Sequence, residues 1–113
     1  MSRTDKKPQG NDVAAHVAID PATIADLCRR RNIRELALFG SVLREDFTET
    51  SDIDVLVDFE PGCVPGYLRM YDIEQELSQL FAGRQIDLVT RKSLHPKIRQ
   101  LVLHEREVLY AQG

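Results

Sequence analysis

The 113 residues leave room for one small domain with a single core, and none for a catalytic domain plus a separate substrate domain. With 15 Lys and Arg against 18 Asp and Glu, the formal charge is −3, so there is no global basic field to draw the chain to nucleic acid, and no direct nucleic-acid partner is expected. Cys28 and Cys63 lie far apart without C-x-x-C spacing, and no N-terminal apolar run suits a signal peptide or a membrane span, so a cytoplasmic protein with free thiols and no membrane partner is expected.

Residues 1–15 are polar and lack a sustained apolar period, which predicts a disordered arm ahead of a domain over 16–113. Ile19-Asp20-Pro21 signals a helix start: Asp20 can cap, Pro21 suits the first helical position, and Ile19 can staple onto Ile24. Ile24, Leu27 and Cys28 then share a face, and Arg29 to Arg31 fall where cations meet the helix dipole. Glu35 to Phe39 alternates as a strand that ends at Gly40, Ser41 to Glu45 suits a turn of helix, and Asp46 to Ser51 a loop. A second strand follows from Ile53 to Phe59, with Ile53, Val55, Val57 and Phe59 on one face and Asp54, Leu56 and Asp58 on the other.

Pro61-Gly62 and Pro65-Gly66 bracket a turn-rich connection to a helix over about Tyr67 to Phe81, whose stripe Met70, Ile73, Leu77, Leu80 and Phe81 is core, with Gly83 closing it. Gln85 to Thr90 reads as a third strand, His95 to His104 as a helix tolerating Pro96 in its first turn, and Val108 to Tyr110 as a short last strand. His16, His95 and His104 share no ligand spacing and belong to the surface or to helix ends.

Chemistry concentrates between Gly40 and Asp54. Residues two apart on a strand point the same way, so Asp52 and Asp54 project side by side, about 6 to 7 Å apart. Two like charges at about 6 Å cost on the order of 3 kcal/mol at an effective dielectric of 20. Solvent at an exposed edge would offset that cost; a divalent cation would offset it and add function, and Mg²⁺ suits carboxylate oxygens and substrate phosphates. Gly40 lets the backbone approach a ligand closely, and the amides of the turn that begins at Ser41 suit a phosphate. Gly-Ser turns are common, but Gly-Ser, ten residues, Asp, one residue, Asp should arise by chance in roughly one chain in a thousand of this length.

These residues resemble the signature of the polymerase-beta-type nucleotidyltransferase superfamily. The wider run, Leu38-Phe39-Gly40-Ser41, Arg44, Ser51-Asp52-Ile53-Asp54-Val55-Leu56-Val57 and Gly83-Arg84-Gln85-Ile86-Asp87-Leu88-Val89, resembles its minimal nucleotidyltransferase branch. The resemblance implies an α/β (α+β) nucleotidyltransferase fold, a small mixed β-sheet flanked by helices. It implies that Asp52 and Asp54 hold one or two Mg²⁺ ions, that Asp87 completes the site as ligand or base, and that Gly40 and Ser41 hold the triphosphate of ATP. Arg44 would reach a phosphate or Asp52, or equally form a surface ion pair; Asp58 is peripheral; Glu45 stands where the family often has glycine. Stand-alone chains of this kind resemble antitoxins paired with a HEPN-domain ribonuclease toxin, which implies transfer of AMP from ATP to a toxin tyrosine within a hetero-oligomer. Two other readings stay open: an antitoxin that neutralises its partner by binding alone, and an enzyme that adenylylates a small molecule such as an aminoglycoside.

Overall fold

The computed structural model describes residues 20–43 and 52–112. The anticipated arm, the Ile19 staple, Arg44, Glu45 and the loop to Ser51 lie outside the described residues.

Asp20 does cap the first helix. Its carboxylate accepts from the Ala22 amide at 3.1 Å and the Thr23 hydroxyl at 2.9 Å, and Pro21 takes the first position of α1 (Pro21–Arg30). Asn32, at φ 58°, turns the chain into β1 (Ile33–Phe39), which begins two residues before the alternating pattern because Ile33 is itself fully buried. A 3₁₀ turn over Gly40–Leu43 follows, anchored by buried Val42. Then come β2 (Ile53–Phe59), α2 (Tyr67–Leu80), β3 (Ile86–Thr90), α3 (Pro96–Glu105) and β4 (Glu107–Ala111). His95 proves to be a helix-end residue: its Nδ1 accepts from the Lys97 amide at 3.1 Å.

The four strands form one mixed sheet in the order β3-β2-β1-β4, antiparallel except for the parallel β2–β3 pair. A parallel pair needs a crossover connection, and α2 lies between β2 and β3 in the chain to supply it. The main core lies on one face, where Ile24 and Leu27 of α1 and Ile73 and Leu77 of α2 pack on Leu36, Leu38, Val55 and Val57. On the opposite face a smaller cluster joins Leu56, Leu94 and Val102, with Phe39, Val89 and Leu103 against it. The period-two alternation explains both layers, since β2 sends Ile53, Val55 and Val57 to the first face and Leu56 to the second.

Two members of the arginine run, Arg30 and Arg31, form ion pairs, while Arg29 lies in the last turn of α1. Arg30 and Arg31 reach Glu76 of α2 at 2.7 and 3.1 Å, tying the end of α1 to α2. Partial burial pushes the Glu76 carboxyl up, but hydrogen bonds and charge from Arg30 and Arg31 outweigh it and hold that carboxyl below the usual carboxylate range. No described helix is long and apolar enough to cross a membrane.

Candidate active site

The site grows from the point where β1, β2 and β3 meet at one end of the sheet. Phe39 ends β1 opposite Asp54 in the antiparallel ladder, and Asp54 is in turn paired with Asp87 in the parallel ladder. Paired residues on adjacent strands face the same way, about 4.8 Å apart, so Asp54 and Asp87 project together from the sheet face that carries Leu56. Toward the other end of the sheet, that face is covered by Leu94 and Val102.

Asp52 sits one residue ahead of β2 and is exposed, as is Asp87, whereas Asp54 is half-buried. The Ile53 amide donates to the Gln85 carbonyl at 2.9 Å, which stitches the start of β2 to the residue before β3 and fixes the level of Asp52 and Asp54 against Asp87. Gly40 holds φ +80°, a conformation that L side chains avoid, and a Cβ built on it would lie 2.3 Å from Oδ2 of Asp54. The missing side chain lets the Asp54 carboxylate close directly over the turn that carries Ser41.

The structure thus brings Gly40, Asp54 and Asp87 together, with Ser41 next to Gly40 and Asp52 two residues ahead of Asp54. Among the described residues no three His, Cys, Asp or Glu side chains converge closely enough to hold a cation as they stand. Like charges on neighbouring strand positions repel and splay, and the carboxylate torsions are soft enough to close on an ion. The donor chemistry, all carboxylate oxygen, and the close seat of Asp54 on Gly40 fit a hard cation such as Mg²⁺.

Asp58 lies apart from this set. It pairs with Arg34 at 3.1 Å across β1 and β2, so its place is structural, as its position two pleats on suggests. Sequence reading passed over Glu74, whose carboxylate accepts the Leu88 amide at 3.4 Å beside Asp87. It also passed over Tyr67, Leu68 and Tyr71, which are exposed on α2. Their signal was present: they are apolar residues that fall off the stripe Met70, Ile73 and Leu77.

A mixed sheet with a strand–glycine–serine turn and carboxylates at the ends of two neighbouring strands defines a nucleotidyltransferase. The family described as polymerase beta, nucleotidyltransferase, matches residues 22–113, and the chain belongs to it. Its relatives include the protein adenylyltransferase MntA of Thermococcus cleftensis, 41% identical over 85 residues that span 75% of this chain and 81% of that protein. Among solved structures, a toxin–antitoxin complex with AMP-PNP aligns with a TM-score of 0.66 and 22% identity, covering 84% of this chain and 76% of the other. A complex of tri-AMPylated Shewanella oneidensis HEPN toxin with MNT antitoxin aligns with a TM-score of 0.58 and 21% identity, covering 81% and 70%. At those identities the two structures speak for the fold, and the sequence relative speaks for the family.

Proposed function

We propose that this chain is a protein adenylyltransferase that moves AMP from ATP to a tyrosine hydroxyl of a HEPN-domain toxin and so acts as its antitoxin. The observation that carries the proposal is the direct pairing of Asp54 with Asp87 beside a glycine that only an absent side chain lets Asp54 overlie. The name of the Thermococcus relative supports protein as the acceptor, and the AMPylated HEPN toxin in the Shewanella complex supports the partner class. AMP-PNP in a structure of the same fold supports ATP as donor. A net charge of −3 favours a protein acceptor over a nucleic acid.

Asp52 and Asp54 would hold Mg²⁺, which when bound supplies charge neutralisation and in-line orientation of the triphosphate, and of the two roles open to Asp87, ligand or base, it takes that of base. Gly40 and Ser41 contribute amides and the Ser41 hydroxyl to the phosphates, and Arg44 contributes charge from the connection that follows. The acceptor oxygen forms its bond to the α-phosphorus as the bond from that phosphorus to the bridging oxygen breaks, and pyrophosphate leaves. The proton lost by the tyrosine hydroxyl passes to the Asp87 carboxylate, which stands on the outermost strand of the three.

The test is incubation of the chain with Mg-ATP and its co-expressed HEPN-domain protein, followed by intact-mass analysis. The partner should gain adenylyl groups on tyrosine. A correctly folded, complexed partner that gains no mass would overturn the proposal.

A further inference from the structure

Asp87 has to stand level with Asp54, and β3 is poorly placed to hold that level unaided. Among the described residues β3 ends the sheet, with β2 as its one strand neighbour in a parallel ladder. Parallel pairing is slightly weaker per residue than antiparallel pairing. A slip of one residue would turn Asp87 to the core face, and a slip of two would carry it about 6 to 7 Å along the sheet.

The outer flank of β3 is fastened by polar contacts from α2. The Ser78 hydroxyl donates to the Arg84 carbonyl at 2.7 Å, and the Glu74 carboxylate accepts from the Leu88 amide at 3.4 Å. Glu74 and Ser78 stand one helical turn apart on the same face of α2, and both are half-buried. The two main-chain groups they engage straddle Asp87. Packing does not fill this flank, where a cavity of about 380 Å³ has Glu74, Ser78, Gln85 and Ile86 in its wall. The Ser78 end is also tied through the main chain, since the Gly83 amide donates to the Ser78 carbonyl at 2.7 Å. Arg84 then adjoins Gln85, whose carbonyl accepts the Ile53 amide that sets β3 against β2.

We infer that Glu74 and Ser78 are positioning residues for Asp87. Asp87 shares its sheet face with Leu56, whereas Ile73 and Leu77 of α2 pack on the other face, so the two side chains act on Asp87 through the backbone of β3. They hold the strand at the height where Asp87 stands beside Asp54. The shorter Ser78 contact carries the larger share. This inference rests on the reading of Asp87 as the base in AMP transfer.

The experiment uses the full chain with its co-expressed HEPN-domain protein and Mg-ATP. A Glu74→Ala, Ser78→Ala double variant, folded by its thermal melt, should lose at least about ten-fold in kcat, because a displaced base slows the reaction. Its KM for ATP should stay within two-fold of wild type, since the phosphates are held elsewhere. Glu74→Gln keeps an oxygen for the Leu88 amide and Ser78→Thr keeps the hydroxyl, so that conservative pair should restore kcat to within three-fold of wild type. Ser93→Ala frees the Thr90 amide at the far end of β3, and should leave kcat within two-fold. In an Asp87→Asn background the Ala pair should add less than a two-fold further loss.

An equal loss from the Ala pair in both backgrounds means a general structural role and overturns the inference. Failure of the conservative pair to restore kcat overturns it as well. Register is read without the reaction, by cross-strand NOEs between residues 54 and 87 and amide exchange over residues 85–89 in the chain alone. Wild-type NOEs and exchange in the Ala pair overturn the inference whatever the chain transfers. If the Ala pair loses them and the wild type transfers no AMP, the clamp on β3 stands and the transfer reading fails. If it loses them and keeps wild-type kcat, the positioning role fails and transfer stands.

Discussion

A side chain on Gly40 would collide with the carboxylate of Asp54, since its Cβ would stand 2.3 Å from Oδ2. The turn glycine and the strand aspartate are therefore one device: the chain reverses at φ +80°, and the carboxylate occupies the space that reversal leaves. Gly40→Ala should fold with a stability loss of about 1–2 kcal/mol from the left-handed backbone. Because Asp54 must also swing aside, AMP transfer should fall by about two orders of magnitude, as expected when a reacting group is misplaced by about 1 Å. Gly62 offers the control. It holds φ +78° with nothing within 4 Å of a built Cβ, so Gly62→Ala should show comparable strain and retain activity. Thermal melts alongside single-turnover transfer separate the two effects, and equal activity in both variants would show that the Gly40 contact has no catalytic role.

The acidic residues divide by the same logic. Asp54 and Asp87 are ladder partners, whereas Asp58 is held by Arg34. Asp54→Asn and Asp87→Asn should each lower AMP transfer by about three orders of magnitude, consistent with loss of a metal-holding or proton-accepting group. Asp58→Asn should leave transfer within two-fold of wild type and cost less than about 1 kcal/mol, because an exposed cross-strand ion pair is worth little. A folded Asp87→Asn with full activity would remove Asp87 from the site.

Much of this is legible in the amino-acid sequence. Alternation over Ile53–Phe59 places Asp54 with Leu56 and opposite Val55, and it does so because strand geometry has a strict period of two. Asp20-Pro21 marks the start of α1 for the equally local reason that an orphan amide needs an acceptor. The start of β1 at Ile33 was less visible, since Ile33 joins the core face of Leu36 and Leu38 out of phase with the alternation, where the β1–β2 register shifts between Ile33 and Glu35. What local pattern could not supply was register: that Asp87 lands beside Asp54, and not two residues along, is decided by the parallel ladder and by the Ile53–Gln85 hydrogen bond.

The two cysteines should differ sharply toward thiol reagents. Cys28 is fully buried in the main core, and burial pushes its thiol up to about 12, against a smaller opposing pull from Arg29. The thiolate is the nucleophile, so native Cys28 should be inert at pH 8, whereas half-buried Cys63 should react. A chromogenic disulfide should titrate one thiol in the native protein and two in denaturant. The raised value also has a consequence for stability. The unfolded state releases its proton near the ordinary value of 9.0 and the folded state only near 12, so stability should decline as pH rises through that interval. Cys28→Ala should remove this alkaline slope while lowering stability at neutral pH through the lost packing. Rapid labelling of Cys28 in the folded chain would contradict its place in the core.

The last prediction concerns acid. Glu76 bridges the end of α1 to α2 through Arg30 and Arg31, and its carboxyl is held below the ordinary value of 4.5. A depressed carboxylate contributes stability that is present above the unfolded value and is lost as pH falls through the lower native one. Glu76→Gln should therefore be less stable than wild type at pH 7, by less than about 1 kcal/mol given the solvent around the pair. The difference should shrink below about pH 4.5 and vanish once wild-type Glu76 is itself protonated. Urea unfolding of both proteins at several pH values between 7 and 3 measures this convergence. A difference that stays constant across the series would mean that the Arg30–Glu76–Arg31 bridge contributes through packing and not through charge, and would locate the α1–α2 attachment in Ile24, Leu27, Ile73 and Leu77 alone.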